Sequence, residues 1–459
     1  MLQPVDSIAT RDFKIFGKQQ LDKIPQLQSL DPETRLNMRA VAEVLPFRVN
    51  NYVLDELIDW DNIPNDPMFQ LSFPQPGMLQ PRQVQAVRDL LAANAPAARL
   101  AQEVQRIQYS LNPHPAGQKS LNVPQDAQGQ PVAGMQHKYR ETVLFFPMAG
   151  QTCHSYCTYC FRWPQFVGLD DMKFASRESD SLVRYLKEHP EVTSILLTGG
   201  DPMIMRTEVL EQYLNPILEA DLPNIASIRI GTKAPAWWPY RFTHGEDADA
   251  FLRLIERVRG TGRDMALMAH FSVKRELETA VAQQAIRRLV NAGATVRCQA
   301  PLIRHVNDNA ENWRDMWRTQ VRLGAIPYYM FVERDTGARG YFEVPLHSAY
   351  DIFTQAYSQV TGLARTVRGP SMSCTPGKVM VEGITEVRGE KVFVLKMIQA
   401  RDPAWVNRVF FARYDEKATW MDQLRPAFGE SEFLFEPGLR AMNEAGRGQV
   451  WCEDGLRVA

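Results

Sequence analysis

Short apolar runs recur between residues 143 and 332, and amphipathic stretches separate them. Each run is rich in β-branched or aromatic residues and is bounded by Gly, Pro or polar residues, which is typical of buried strands. The runs are VLFF (143–146), SILLTGG (194–200), SIRIGT (227–232), MALMAHF (265–271), TVRCQAPL (295–302) and IPYYMFV (326–332). The stretches with helical apolar spacing are 176–189, 207–220, 247–260, 274–293 and 309–324. This alternation predicts βαβ units and a parallel sheet, and therefore the α/β class. Such units can curl into a partial barrel or lie in a doubly wound sheet, and the periodicity does not distinguish the two.

The segments on either side lack this alternation, and a chain of 459 residues exceeds the usual size of one core. The elements predicted there are helices at 32–45, 81–108 and 347–362, a Pro-rich loop at 63–79, a connector at 111–136, and strands containing KVMVEG, KVFVLKM and RVFFARY. We therefore expect an N-terminal helical region with its connector (1–135), a βα region (136–395) and a C-terminal extension (396–459).

Composition excludes several classes of protein. Apolar residues make up 45% of the chain and charged residues 23%, with a net charge of -1, so a strongly basic nucleic-acid binder is not expected. No run approaches the roughly 18 apolar residues that a membrane span requires. The first residues, MLQPVDSIATRDFK, lack the apolar core of a signal peptide. These features predict a cytoplasmic protein that does not bind membranes.

Three of the six cysteines lie in one short segment, QTCHSYCTYCFRWPQF, directly after the first predicted strand. Cys153, Cys157 and Cys160 have the spacing C-x3-C-x2-C, so their thiolates can bind three irons of a cubane cluster and leave the fourth iron open. Structural zinc is one alternative, although zinc usually takes four ligands in two separated pairs and His154 is too close to Cys153 to complete a tetrahedron. An electron-transfer cluster is another, although it normally has a fourth Cys.

The cysteine motif, with the aromatic Tyr159 before its last Cys, resembles the motif of the radical S-adenosylmethionine (SAM) superfamily. The resemblance implies a 4Fe-4S cluster whose open iron binds the amino and carboxylate groups of SAM. One electron then splits the sulfonium and yields a 5'-deoxyadenosyl radical, which takes a hydrogen atom from the substrate. The fold that it implies is a partial (β/α)6 barrel of radical SAM type, with an N-terminal helical extension and a small C-terminal extension.

A second match to the superfamily lies one βα unit later, in LLTGGDP. Gly199, Gly200 and Asp201 follow the second predicted strand, where glycines allow close approach of the backbone to a ligand. The resemblance implies that this element contacts the methionine part of SAM. His270, at the end of the fourth strand, faces the same expected rim. It either contacts a cofactor there, SAM or pyridoxal 5'-phosphate (PLP), or is a structural histidine.

Further segments are similar to the lysine 2,3-aminomutase family, in order, from about residue 45 to residue 385. They are NDPMFQLSFP, IRIGTKAPAWWPYRFT, AHFSVKRE, LVNAGATVRCQAPLIRHVND and PYYMFVERDTGARGYFEVPL. The resemblance implies an isomerase that moves the amino group of an amino acid from the α to the β carbon, through an imine with PLP. It also implies a small-molecule substrate that is an amino acid, a reductant such as flavodoxin or ferredoxin, and a homo-oligomer.

The resemblance assigns roles to individual residues. Arg162 matches the arginine that pairs with the substrate carboxylate, and Lys378, in CTPGKV, matches the PLP lysine, with Gly377 expected to allow close approach to the ring. Asp335 matches one of two acids that hold the distal amino group of lysine, although it could equally form a salt bridge with Arg334.

The phosphate of PLP would lie near Lys138 and Arg140, although the family's phosphate-binding arginines are not reproduced there. The second distal acid is also missing, since TVRGPSMSCTPGK contains Arg368 and no acid, and this puts lysine as the substrate in doubt. Clustered C-terminal cysteines that bind zinc in some members are absent, as only Cys452 is near the end.

Two cysteines have no assigned role: Cys298 is expected in the core, and Cys374 lies close enough in sequence to Lys378 to touch the site. Two alternatives to the aminomutase remain open. One is a radical SAM enzyme on the same scaffold with changed chemistry, such as an epimerase, a dehydrogenase or an enzyme without PLP. The other is a non-catalytic iron–sulfur or zinc protein.

Overall fold

A computed structural model describes residues 10–446, except residues 119, 127, 170–173 and 178. The strands are β1 (Ile15–Gly17), β2 (Arg48–Asn50), β3 (Met135–Tyr139), β4 (Thr142–Phe145), β5 (Ser194–Leu197), β6 (Ser227–Thr232), β7 (Asp264–His270), β8 (Thr295–Leu302), β9 (Ile326–Val332), β10 (Arg368–Ser373), β11 (Gly377–Val387), β12 (Glu390–Ala400) and β13 (Val409–Arg413). The helices are α1 (Pro32–Val44), α2 (Pro67–Ser72), α3 (Pro81–Ala92), α4 (Ala97–Ser110), α5 (Asp180–Glu188), α6 (Thr207–Glu219), α7 (Ala234–Trp237), α8 (Glu246–Gly260), α9 (Ala280–Asn291), α10 (Ala310–Arg322), α11 (Arg339–Phe342), α12 (Leu346–Ser358) and α13 (Glu436–Glu444).

The predicted α/β class is confirmed. Strands β4 to β9 are parallel neighbours in chain order, and they form the middle of an 11-stranded sheet. The antiparallel hairpin strand β3 flanks them on one side, and β10 to β13 flank them on the other. Within the described residues the sheet does not close into a complete barrel, because β3 and β13 are its two edges. No helix among these residues is long and apolar enough to cross a membrane.

The parallel strands alternate between a helix-facing side and a side that faces a cavity. In β6, Ile228 and Ile230 are fully buried, whereas Arg229 between them points to the opposite face. The helices cover the first face with apolar stripes; in α9 this stripe includes Ala285, Ile286 and Leu289. The opposite face is thereby left available for polar and charged residues.

The N-terminal region contains two differences from the sequence-based expectations. The helix predicted at 81–108 is two helices, because α3 ends at Ala92, Asn94 takes a left-handed φ of 46°, and Pro96 is the N-cap residue of α4. The Pro-rich segment predicted as a loop contains α2, whose first residue is Pro67 and whose N-cap, Asp66, accepts a hydrogen bond from the Phe69 N–H at 2.8 Å. Pro is favoured at the first position of a helix, so it begins α2 rather than preventing it.

The C-terminal strands extend the sheet continuously. Strand β10 pairs in parallel with β9 and antiparallel with β11, and β11 pairs with β12 along most of its length. The boundary expected at residue 396 therefore falls inside β12. Cys452 and the rest of 447–459 lie outside the described residues, as do residues 1–9 and residue 178 of the helix predicted at 176–189.

The C-terminal strands also contact the first edge of the sheet. The Lys138 ammonium in β3 donates to the carbonyl of Cys374, between β10 and β11. Arg401, directly after β12, donates through Nη1 to the Leu121 carbonyl at 3.0 Å. The connector at 111–136 is therefore held between the two ends of the sheet.

Candidate active site

One cavity of about 310 Å³ lies at the carboxyl ends of the parallel strands. Each of the six parallel strands contributes to its wall, through Leu144, Leu196, Arg229, Met268, Gln299 and Tyr329. Nine of the residues predicted from the sequence also line it: Cys153, Cys157, Cys160, Arg162, Gly199, Gly200, Asp201, His270 and Lys378. The structure thus brings the cysteine motif and the candidate PLP lysine, which are far apart in sequence, to the same cavity.

The cysteine loop is held by the main chain of the N-terminal region. The Tyr156 N–H donates to the Arg48 carbonyl at 2.8 Å, and the Thr158 N–H donates to the Leu71 carbonyl at 3.0 Å. Asn50 Nδ2 donates to the carbonyl of His154 at 3.3 Å and to that of Trp237 at 2.8 Å. These contacts fix a loop that has no helix or sheet of its own around the cysteines, and nothing in the spacing of the cysteines indicates them.

The three thiols suit a metal cluster. They are free, they line the same wall, and burial raises the pKa of Cys157 to about 12 and that of Cys160 to about 11. A buried thiol ionises readily only beside a compensating cation such as a metal. In the described part of the chain no three His, Cys, Asp or Glu side chains converge on a single metal ion. A cubane does not require such convergence, because each thiolate binds a different iron.

Gly200 and Asp201 contact Thr152, the residue that precedes Cys153. A Cβ at Gly200 would lie 2.5 Å from the Thr152 nitrogen, so this glycine permits close approach to the segment before Cys153 rather than to a ligand alone. The Asp201 carboxylate accepts hydrogen bonds from the Met203 N–H at 2.9 Å and from the Lys233 N–H at 2.8 Å. Asp201 therefore joins the loops after β5 and β6.

Arg162 enters the cavity beside the cysteines. Its guanidinium carbon lies 4.5 Å from the ring centre of Phe146 and 5.1 Å from that of Phe161. Its hydrogen bond to the Thr198 hydroxyl is long, at 3.4 Å, and burial lowers its pKa to about 10. A buried guanidinium with such weak partners is suited to a carboxylate ligand.

Lys378 lies in an aromatic enclosure on β11. Its Nζ donates to Gln399 Oε1 at 2.7 Å, and it lies 4.8 Å from the Tyr329 ring centre and 5.4 Å from that of Tyr139. Burial, together with the positive charges of Arg229 and Arg368, lowers its pKa to about 7. A large fraction of this amine is therefore neutral near pH 7, which a nucleophilic lysine requires.

Gly377, beside Lys378, has a different role from the one expected. A Cβ there would lie 2.8 Å from Met397 Sδ and 2.9 Å from Ala400 Cα, so the glycine allows β11 to approach β12. It sets the position of the strand that carries the lysine, and the cavity wall includes Lys378 but not Gly377.

Several cavity residues were missed by the sequence analysis. Lys233 forms an ion pair with the buried Glu276 at 2.6 Å, and Arg229 donates through Nη2 to the Thr142 hydroxyl at 3.2 Å. Arg334 and Glu333 line the cavity after β9. For Arg229 the available signal was its place between two apolar residues of a predicted strand, which puts a charge on the face opposite the helices.

Comparison with known proteins gives a consistent group of relatives, although no family model matches the chain. A putative L-lysine 2,3-aminomutase of Aquifex aeolicus is 29% identical over 86% of this chain and 92% of its own. The L-lysine 2,3-aminomutase of Bacillus subtilis is 25% identical over 75% of this chain and 62% of its own, and that of Escherichia coli is 28% identical over 54% and 69%. The chain is thus similar to lysine 2,3-aminomutases, at 25–29% identity over 54–86% of its length.

A solved structure, Streptococcus suis SuiB bound to precursor peptide SuiA, aligns with this chain at 11% identity and a TM-score of 0.32, covering 57% of this chain and 51% of that one. This similarity is too low to establish a common fold.

Three of the predicted site residues do not line the cavity. The half-buried Lys138 donates to the Cys374 carbonyl, and Arg140 is exposed in the turn between β3 and β4. Because β3 and β4 are antiparallel, that turn lies at the amino end of β4, opposite the cavity. The Asp335 carboxylate accepts from Asn112 Nδ2 at 3.3 Å, and its Oδ1 lies 3.9 Å from Arg334 Nε.

The remaining candidate residues have defined surroundings. His270 Nε2 lies 2.8 Å from Gln299 Nε2, and burial lowers the histidine's pKa to about 3, so its imidazole is neutral at ordinary pH. Cys374 is buried, with its Sγ 3.4 Å from the Gly377 carbonyl oxygen, and it does not line the cavity. Cys298 is buried in β8, as expected.

Proposed function

We propose that this chain is a radical SAM amino acid 2,3-aminomutase, which moves the amino group of an amino acid from the α to the β carbon. One observation carries the proposal: a single cavity is lined both by Cys153, Cys157 and Cys160 and by Lys378. The reaction needs a source of radicals and a covalent hold on nitrogen in one place, and these are the residue types that supply them.

The residues at the cysteine end fit a 4Fe-4S cluster and SAM. In this proposal the three thiolates hold three irons, while the backbone of Gly199 and Gly200 and the neutral His270 border SAM. Asp201 positions this wall through its bonds to the main chain. When bound, the cluster and SAM supply a 5'-deoxyadenosyl radical, and PLP supplies a covalent attachment for the migrating nitrogen.

The residues around Lys378 fit PLP. The Lys378 amine would attach the cofactor, and Tyr139, Tyr329 and Phe331 provide aromatic surface around it. We assign the phosphate to Arg229 and Arg368 rather than to Lys138 and Arg140. Arg229 lines the cavity, and the Arg368 guanidinium lies 4.3 Å from the Tyr329 ring centre. Arginine binds phosphate through paired N–H donors.

Arg162 is the proposed partner of the substrate α-carboxylate. It lies two residues after Cys160 and lines the same cavity, so it would hold the amino acid between the cluster and Lys378. Its long bond to Thr198 leaves its N–H groups available for a bidentate contact. The surrounding rings of Phe146 and Phe161 exclude water from this contact.

We also propose that β4 to β9 form a partial (β/α)6 barrel. Six strands in a flat sheet would spread over roughly 24 Å, at about 4.8 Å per neighbour, yet all six border one cavity. The N-terminal region (1–135), the barrel with its lysine loop (136–395) and the C-terminal extension (396–459) would be the chain's parts, the last two sharing β12. A cytoplasmic location, a flavodoxin or ferredoxin as reductant, and a homo-oligomer remain predictions.

The test is covalent trapping of PLP on the anaerobically reconstituted protein by borohydride, followed by peptide mapping. We expect label on Lys378, and we expect 5'-deoxyadenosine when SAM, dithionite and a suitable amino acid are added. Lys378→Ala should remove the label and turnover, whereas Lys396→Ala, on the neighbouring strand and paired with Glu382, should change neither. SAM cleavage without any label on Lys378 would replace the aminomutase by radical SAM chemistry that does not use PLP.

A further inference from the structure

Two pairs of cationic side chains lie around the cavity, and each pair lies against the ring of one aromatic residue. Lys378 and Arg368 lie 4.8 and 4.3 Å from the Tyr329 ring centre. Arg162 and Arg334 lie 5.1 and 5.2 Å from the Phe161 ring centre. The first pair is accounted for by PLP in the proposed function. The second contains one more arginine than the α-carboxylate of a substrate requires.

Arg334 lacks the partners that a buried guanidinium normally has. In the described part of the chain its guanidinium, which is 17% exposed with the rest of the side chain, makes no hydrogen bond, and its Nε is buried without a hydrogen-bond partner. The Asp335 Oδ1 atom lies 3.9 Å from that Nε, beyond hydrogen-bond distance. Burial of a cation is costly unless an anion compensates it. Asp335 offsets part of this charge, but the N–H groups of Arg334 have no hydrogen-bond acceptor among the described residues, so they are available to an anionic ligand in the cavity.

The cavity offers no matching site for a cationic group. Of its described lining residues, Asp201 and Glu333 carry carboxyl groups. The Asp201 oxygens already accept hydrogen bonds from the main chain of Met203 and Lys233. Burial raises the pKa of Glu333 well above its ordinary value, which favours its neutral form. The side-chain ammonium of a substrate such as lysine would thus lie near Arg334, and no free carboxylate in the described part of the cavity wall would compensate its charge.

We propose that the substrate is an acidic amino acid, with its α-carboxylate on Arg162 and its side-chain carboxylate on Arg334. The 5.1 and 5.2 Å distances to one ring put the two guanidinium carbons at most about 10 Å apart. A short dicarboxylate such as aspartate or glutamate can contact both ends of such a pair bidentately. Asp335, held by Asn112, then acts as a positioning residue for Arg334. This inference rests on the proposed aminomutase function and names its substrate class.

The experiment is a spectral titration of the reconstituted holoenzyme, in which PLP absorbance reports the binding of an amino acid. L-Glutamate and L-aspartate are compared with the neutral L-glutamine and L-asparagine and with L-lysine. We expect an acidic amino acid to bind at least about tenfold more tightly than its amide, because a charge-assisted pair is stronger than a hydrogen bond to a neutral amide. Arg334→Gln should remove that preference, and Arg334→Lys should keep part of it.

Arg297→Gln is the matched control, because Arg297 also lies against an aromatic ring, that of Tyr328 at 5.0 Å, but does not line the cavity. It should keep the preference for the acid. Tighter binding of L-lysine or of the amides to the unaltered protein would overturn the inference and leave the aminomutase standing. Loss of PLP from Arg334→Gln, with the acid preference unchanged in the fraction that retains PLP, would also overturn it, because Arg334 would then be a phosphate ligand. No spectral change with any amino acid would instead reject the proposed function, and this inference with it.

Discussion

The cysteine loop and the Lys378 hairpin face the same cavity, but they are held there in opposite ways. The loop has no regular structure of its own around the cysteines, and it is fixed by carbonyls of Arg48 and Leu71, which lie far away in sequence. Lys378 is part of a sheet, in register with Ser373 and Gln399. The reactivity of the Lys378 amine depends on the surrounding side chains rather than on main-chain contacts. Substitutions in the N-terminal region should therefore weaken binding of the proposed cluster and leave the reactivity of Lys378 unchanged.

The largest expected effect separates the two regions directly. In Gly200→Ala the new Cβ would lie 2.5 Å from the Thr152 nitrogen and closer still to its carbonyl oxygen. Because these are backbone atoms, the segment leading into Cys153 must move. We expect a loss of most cluster iron and more than about a hundredfold loss of turnover, as a misplaced reactive group can cost this much. Iron analysis and 5'-deoxyadenosine formation measure both, while borohydride labelling of Lys378 should persist.

Gly260→Ala is the control for that substitution. Gly260 ends α8, and nothing lies within 4 Å of a Cβ placed there. It should keep both iron and turnover. If Gly200→Ala loses the Lys378 label together with its iron, the two regions are not independent, and the comparison between them fails.

A smaller effect is expected from Asn50→Ala. Its amide donates to the His154 and Trp237 carbonyls, and its Oδ1 accepts from the Val53 N–H at 3.0 Å. Leaving these buried groups without partners costs about 1–3 kcal/mol. We expect a lower midpoint of thermal unfolding and weaker retention of iron against a chelator. Asn51→Ala, at the next position and hydrogen-bonded to exposed main chain, is the control; equal losses in both variants would argue that Asn50 has no specific role in the loop.

The sequence predicts the sheet better than its surroundings. Strands β8 and β9 begin and end at the predicted residues, because buried parallel strands are continuous apolar runs with sharp polar or Gly boundaries. Helix α2 was expected as a loop, because the prolines around it suit both a loop and the start of a helix. Local composition cannot separate those two uses of proline.

The residues of the candidate site also differ in how well the sequence predicts them. The cysteine spacing predicts the proposed cluster residues by itself, since all three lie on one loop. The environment of Lys378 does not follow from its neighbours in sequence, because Tyr139, Arg229 and Tyr329 come from three different strands. The alternative of a salt bridge between Asp335 and Arg334 is confirmed at 3.9 Å, but the sequence does not indicate that Arg334 lies in the cavity wall or that Asp335 contacts Asn112. Side-chain direction at the end of a strand is set by tertiary contacts.

The smallest expected effect tests the environment of Lys378 by pH. Burial and the charges of Arg229 and Arg368 lower its pKa to about 7, so the reactive neutral amine forms as the pH rises through 7. The rate at which PLP becomes attached should therefore rise about tenfold between pH 6 and pH 8 and then level off. An unperturbed lysine, with a pKa near 10.4, would still be gaining reactivity throughout this range and beyond it.

Arg368→Gln sharpens this test, because it removes one of the two charges that lower the pKa and leaves the burial. The rise in the labelling rate should move to higher pH, while Arg297→Gln, which removes a guanidinium outside the cavity wall, should leave it near 7. If the unaltered protein labels at a rate that keeps rising to pH 10, the enclosure does not hold the amine neutral. The position of Lys378 would then be set by the register of β11 alone, as the position of the cysteine loop is set by its main-chain hydrogen bonds.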